Sequence, residues 1–494
     1  MTENNQLLIG GNGTQTVYMD ASMANRHGMV AGATGTGKTV TLQILAENFS
    51  QIGVPVFLAD VKGDVSGVGK VAKPHPKIDE RINTIGIEDY EMVPSPVVFW
   101  DLFAKKGHPI RTTVSEIGPL LLSNLLELNE TQTGILYSCF KIADDEGMLI
   151  LDLKDLRSML VWMADNRAEL KAEYGNISTA SVGAIQRGLL VLEEQGAEFL
   201  LGEPAISLND LMSHDFSGRG VINILDASKL IQTSPKLYST FLLWLLAELF
   251  ETLPEVGDAD KPKFVMFFDE AHLLFDDAPK VLVNKIEQVV RLIRSKGVGI
   301  YFISQSPLDV PEEILGQLGL KIQHALRAFT PKDQKAVRTV ADTFRPNPEI
   351  DTGAVITELG VGEALVSTLD AEGIPTQVEQ ILIRPPESRI GPMSDAERKE
   401  QISRSPFRGR YDETLDRESA HEMLMERARQ DAADEAAVER EEAARKAAAK
   451  SSSRSRRSTR QTPTEAFVKS AARAIGTQLG RRLLRGVMGS IFKG

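Results

Sequence analysis

Eight residues near the start, Gly32-Ala33-Thr34-Gly35-Thr36-Gly37-Lys38-Thr39, leave this chain few folds to choose from. They fit the pattern Gly, four residues, Gly-Lys-Thr. An apolar run, Met29-Val30-Ala31, precedes them, and a segment with helical character, residues 40–49, follows. That strand–loop–helix order is the setting of a phosphate-cradling P-loop. Glycine at 32, 35 and 37 lets the backbone turn tightly, so that successive N–H groups converge at a helix N-terminus. Lys38 can reach the β- and γ-phosphates of a nucleoside triphosphate, and the Thr39 hydroxyl can take one position on Mg²⁺. The bland alternative is a Gly/Thr-rich turn matching by chance, and the correct flanks argue against it.

The rest of the chain alternates. Residues 54–59 form an apolar run ending at Asp60, the mark of a parallel strand covered on both faces. The loop Lys62-Gly63-Asp64 follows, at the strand edge where α/β sheets place ligands. A hairpin is expected within residues 1–25 and a short strand at 97–100. Helical segments at 114–128, 130–143, 153–165 and 178–195 read as an insertion. Strands are expected again at 221–225, 264–268, 299–303 and 321–329, with helices at 237–253, 280–295, 312–318 and 331–341. Short β segments with glycine turns are expected over 352–383. Such alternation implies an α/β fold with a largely parallel, twisted sheet.

The expected division is therefore a P-loop core in two halves, 1–70 and 217–386, interrupted by a mostly helical insertion, 71–216. A charged helical region (387–450), a Ser/Arg linker (451–463) and a basic amphipathic helix (464–494) form the tail. Residues 451–494 hold ten Lys or Arg against the single acid Glu465, a net of +9, so the formal net charge of -12 leaves -21 on residues 1–450. An acidic body leaves nucleic acid a local channel or the tail. The tail is a candidate for an acidic protein partner, an anionic membrane surface or nucleic acid. The single cysteine, Cys139, excludes an intrachain disulfide and reads as an apolar filler. Met1 to Gln6 is polar and shows no signal-peptide pattern, and the apolar stretch 241–247 is too short to span a bilayer. A cytoplasmic setting is expected.

The strand 264–268 runs into Asp269-Glu270, the form of a Walker B strand. Asp269 would hold the Mg²⁺ shell, and Glu270 would orient and polarise the attacking water. A GTPase that relies on a Gln elsewhere has no need of the second acid, so the pair favours ATP. Its alternative reading is an acidic pair capping the next helix. Gln305, just past the strand 299–303, can sense the γ-phosphate if that strand lies between the P-loop and Walker B strands.

This set, with residues 321–338 after it, resembles the HerA/FtsK group of RecA-like motor ATPases, and among them a bacterial HerA-helicase-like family. Arg26-His27-Gly28, Asp60-Val61-Lys62-Gly63-Asp64 and Leu359-Gly360-Val361-Gly362-Glu363-Ala364-Leu365-Val366 agree with it. The resemblance covers roughly residues 7–385. It implies a RecA-like core, a homohexameric ring, Mg²⁺-dependent ATP hydrolysis and ATP-driven translocation along DNA. Carried over by position, Lys38 and Thr39 are the Walker A pair, Asp269 and Glu270 the Walker B pair, and Gln305 the strand-end glutamine. Arg327 matches the arginine such motors present to a neighbour's nucleotide, with Arg294 and Lys296 as rivals. HerA proteins usually carry a sizeable N-terminal β-barrel, which is not read here. A second class therefore stays open: a regulatory or scaffolding ATPase gating partners through its basic tail.

Overall fold

Short apolar runs become strands only where both faces find cover. The computed structural model describes residues 5–257, 259–276 and 280–453. Its strands are β1 (Gln6–Gly11), β2 (Thr16–Asp20), β3 (Gly28–Ala31), β4 (Val56–Asp60), β5 (Val97–Trp100) and β6 (Ile222–Asp226). They continue with β7 (Phe264–Phe268), β8 (Val298–Ser304), β9 (Leu320–Gln323), β10 (Glu363–Ser367) and β11 (Glu379–Ile383). All lie in one sheet, in the order β2-β1-β11-β10-β9-β3-β8-β7-β4-β6-β5. From β9 to β5 every neighbouring pair is parallel. From β9 outward through β10, β11, β1 and β2 the pairs are antiparallel.

Successive strand residues feed opposite faces. Val30, Leu58, Phe267 and Ile303 pack with Leu45 and Phe49 of the helix Lys38–Gln51. Met29, Phe57, Met266 and Phe302 join the other face, which is covered by the helix Pro235–Thr252 and the insertion. There the helices Val114–Leu125, Glu130–Glu146, Leu153–Asp165 and Thr179–Glu194 bury Leu136, Leu156, Leu160 and Leu189. Cys139 lies among them, fully buried, and burial pushes its thiol up to about 12, so it is packing material. Among the described residues no helix is long and apolar enough to cross a membrane.

Three departures from the sequence reading stand out. Residues 352–358 are a helix, Thr352–Glu358, where β segments were expected. The strand expected at 321–329 stops at Gln323. The packed unit also runs past 386, to Leu424. Arg398, on the helix Asp395–Ser403, donates to buried Asp226 at 2.7 Å, and Phe407 and Tyr411 pack on Trp100 with ring centroids 5.6 and 5.3 Å away. These contacts draw the segment after 386 onto the edge strand β5. The second unit begins at Met425, within the helix Ala420–Ser453, and is laced by pairs such as Arg445–Glu441 and Lys446–Glu442. Most of the expected linker and the basic amphipathic helix lie outside the described residues.

His27 joins the hairpin to β3. Its Nδ1 accepts from the Ile300 N–H at 3.0 Å and its Nε2 donates to the Val290 carbonyl at 2.8 Å. Only a neutral ring can do both. Burial, with Arg294 adding repulsion, lowers its pKa to about 4. The unfolded chain takes that proton near 6.5. The ring's contribution to stability is therefore complete above that value and is lost as pH falls toward 4. We expect the His27 resonance, followed by NMR, to titrate near pH 4; a midpoint close to the unperturbed value would show an unlocked ring.

Candidate active site

Strand β3 ends at Ala31, in the interior of the parallel sheet, and the chain must turn at once to start the helix at Lys38. Gly32, Gly35 and Gly37 turn it with φ of 153°, 79° and 121°, values that side chains resist. A Cβ on Gly32 would lie 2.5 Å from that of His324. The loop is held from several sides. Gly32 N–H donates to the Ser304 carbonyl (3.3 Å), Ala33 N–H to that of Ala325 (2.8 Å), and Gly362 N–H to that of Thr36 (2.9 Å). The Thr36 hydroxyl donates to the Ala33 carbonyl at 2.8 Å, while Thr34 and Gly35 stay exposed at the tip. Lys38 folds back so that its ammonium donates to the carbonyls of Gly32 and Ala33. The Thr39 hydroxyl lies 3.4 Å from an Asp64 carboxylate oxygen. A fourteen-residue helix thus aims its free N–H groups into a rigid concave loop, which suits an anion.

The acids stand at the same sheet edge. Asp269 directly follows β7, its carbonyl accepting from the Tyr238 hydroxyl (2.9 Å) and its carboxylate from the Glu270 N–H (3.0 Å). Burial, and then Glu270, raise the Asp269 pKa to about 7. A carboxyl so placed gains from any cation that arrives. Glu270 adopts a left-handed backbone, φ 49° and ψ 52°, which L side chains rarely accept. Its Oε1 lies 3.3 Å from Lys62 Nζ and its Oε2 3.5 Å from His272 Nδ1. Oε2 is buried with no hydrogen-bond partner. Burial and Lys62 lower the Lys38 pKa while Glu270, Asp269 and Asp309 oppose them, so P-loop and acids share one field.

Strand β8 does lie between β3 and β7, and Gln305 is exposed just beyond its end. Asp309 accepts from the Ser306 N–H at 3.0 Å and from the Ser304 hydroxyl, closing the turn behind Gln305. Arg327 is exposed on the coil after β9, two residues past the Ala325 that holds the P-loop. Of its rivals, Lys296 lies 5.7 Å above the Phe250 ring. Sequence reasoning assigned no role to Lys62, His272, Asp309 or His324. Lys62 alone carried a signal, through its loop at the carboxyl end of a strand. His324 Nδ1 donates to the Glu363 carbonyl and its Nε2 accepts from the Thr41 hydroxyl, both at 2.8 Å, so it is a rigid post behind the loop.

The residues fit Mg²⁺. This ion takes few protein ligands, one or two carboxylates and hydroxyls, and completes its shell with water and phosphate. Thr39, and Asp269 with its raised pKa, supply that donor set. Among the described residues no three His, Cys, Asp or Glu side chains gather as a cage, and Mg²⁺ requires none.

A family model described as helicase HerA-like C-terminal matches residues 5–494. The chain is 23% identical over 364 residues to a DNA double-strand break repair helicase HerA of Sulfolobus acidocaldarius, covering 73% of this chain and 65% of that one. It is 25% identical over 361 residues to a probable helicase of Methanocaldococcus jannaschii, covering 71% and 61%. It thus spans somewhat under two thirds of these relatives' lengths. Among solved structures, VirB4 of Thermoanaerobacter pseudethanolicus superposes with a TM-score of 0.51 at 16% identity, over 78% of this chain and 97% of that one. The plasmid coupling protein TrwB, in complex with a non-hydrolysable GTP analogue, gives 0.50 at 14%, over 78% and 92%. At such identity these two likenesses concern the fold alone, an α/β P-loop core.

Proposed function

The chain belongs to the helicase HerA-like C-terminal family, and we propose that it is a Mg²⁺-dependent ATPase working as a hexameric ring motor on DNA. The observation that carries the hydrolytic part is the placement of Lys38, Asp269 and Glu270 at one sheet edge, with Lys62 Nζ 3.3 Å from Glu270 Oε1. In this reading the loop 32–39 binds the phosphates through its N–H groups, and Lys38 swings from its own carbonyls to the β/γ oxygens. Thr39 and Asp269 would hold Mg²⁺, which when bound supplies charge neutralisation on the phosphates. Glu270 orients a water whose oxygen attacks the γ-phosphorus. The bond to the β–γ bridging oxygen breaks, leaving ADP and phosphate, and the water proton passes to Glu270. Gln305 orients the same water, and Arg327 of the adjacent subunit faces the γ-phosphate.

DNA enters from the relatives, of which the Sulfolobus acidocaldarius protein is named a DNA double-strand break repair helicase. The test is ATP turnover with and without duplex DNA across a salt series. DNA should stimulate turnover, and its affinity should fall by orders of magnitude between about 50 and about 200 mM salt, as phosphate contacts require. Turnover indifferent to DNA would instead favour a regulatory or scaffolding ATPase.

A further inference from the structure

The segment that leaves β9 carries a run of positive charge on an otherwise acidic body. Past Gln323 the chain goes through Ala325, whose carbonyl holds the Ala33 N–H of the P-loop at 2.8 Å, and reaches the helix Pro331–Ala341. That helix buries Val337 and Val340 in a small apolar cluster with Leu326 and Ile356. Lys332, Lys335 and Arg338 are all exposed. At about 100° per residue, Lys335 and Arg338 fall on the side away from Val337 and Val340, with Lys332 at its margin. The one carboxylate within the helix, Asp333, is used at its cap. It accepts from the N–H groups of Phe329 and Thr330 at 3.1 and 2.9 Å, while the Thr330 hydroxyl accepts from the Asp333 N–H at 3.2 Å.

The same cap fixes the backbone of Phe329 at the head of the helix. An apolar residue in that place commonly packs back on the fourth helical residue. Here the fourth residue is Gln334, which is polar and exposed, and Phe329 stays 86% exposed. A lone exposed apolar side chain needs no explanation. An exposed aromatic ring tied by a capping box to a face of three cations has a specific use. Cations that track a phosphate backbone, with a ring on which a base can stack, hold single strands without regard to sequence.

We infer that residues 329–338 form a contact surface for single-stranded DNA, with Phe329 stacking on a base and Lys335 and Arg338 meeting phosphates. The inference rests on the DNA-motor reading above. Phe329 lies only four positions after the Ala325 carbonyl that holds the P-loop, so strand and nucleotide bear on one short segment.

Oligothymidylate and an abasic strand of equal length, titrated on the full chain by fluorescence anisotropy, test the surface. The parent should bind oligothymidylate about fivefold or more tighter than the abasic strand, the worth of one stacked base. Phe329→Ala should lose that preference and keep the salt dependence. Lys335→Gln with Arg338→Gln should weaken both strands and lower the slope of log affinity against log salt by about 1.4, at about 0.7 per phosphate contact. Phe329→Trp should bind as the parent does, and its added indole emission should fall as oligothymidylate is added. Trp100 and Trp244 are buried and Trp162 half-buried, so that signal is local to position 329. The cations of residues 451–494 are the same in every variant, so their share of binding is common to all. All three positions are exposed; an unchanged thermal transition and unchanged ATP turnover without DNA check the fold. A parent that binds the two strands equally, or a Phe329→Ala variant and Gln pair that bind as the parent does, overturns the surface. So does binding confined to duplex DNA. In each of these cases turnover stimulated by duplex would leave the motor reading standing. A parent that binds neither single strand nor duplex overturns both.

Discussion

Glu270→Gln should bind ATP as the parent does and turn it over on the order of 10²- to 10⁴-fold more slowly, the usual loss when a general base is removed. The amide keeps the shape of the carboxylate and can still accept from Lys62, which lies 3.3 Å from Oε1. Asp269 is untouched, so the expected metal ligand survives. What disappears is the site that takes the water's proton. The backbone provides an independent check. Glu270 sits at φ 49°, ψ 52°, a conformation that glycine adopts freely and that costs a side chain about 1 kcal/mol or more. Such strain at one residue, with a buried Oε2 that lacks a hydrogen-bond partner, costs stability and supports the proposed catalytic role. Glu270→Gly should therefore be at least as heat-stable as the parent and as inactive as the Gln variant. Hydrolysis by Glu270→Gln at the parent rate would remove Glu270 from the catalytic role.

The P-loop was legible because its chemistry is local. Glycine spacing, the lysine and the flanking periodicities lie within about twenty residues, and the central strands announce themselves as apolar runs. Where the reading failed, the deciding contact came from far along the chain. Thr352, Val355, Ile356 and Thr357 are β-branched and suggest strand, yet Asp351 caps the Ala354 N–H at 3.1 Å and Ile356 is buried beside Leu326 and Val340. Tertiary cover overrode propensity. The segment after 386 reads as charged and solvated, but Arg398 finds Asp226, 172 residues back, and the Tyr411 hydroxyl finds Asp210. No periodicity records a single buried ion pair. For the same reason the loop containing Lys62 could be placed at a ligand edge, while its pairing with Glu270 could not be foreseen.

Arg327→Ala should bind ATP nearly normally and lose on the order of a thousandfold in turnover, as removal of an arginine finger does. The charge developing on the γ-phosphoryl group needs a further cation. Within one subunit Lys38 and Lys62 are the cations that share the field of Asp269 and Glu270. Arg327 is exposed, at the same sheet edge as the P-loop, so it is free to face a neighbour. Its guanidinium is always charged and can bridge two phosphate oxygens. A role within its own subunit has to be separated from this one, because Ala325, two residues away, accepts from the Ala33 N–H of its own P-loop. Mixing Arg327→Ala with Glu270→Gln makes that separation. If the arginine acts across the boundary, mixed rings contain sites with Glu270 from one subunit and Arg327 from the next, and part of the activity returns. If it acts within its own subunit, every subunit in the mixture lacks one of the two groups and the mixture stays dead. Absence of rescue, with subunit exchange shown by a labelled tracer, would take Arg327 out of the trans role and weaken the case for a ring.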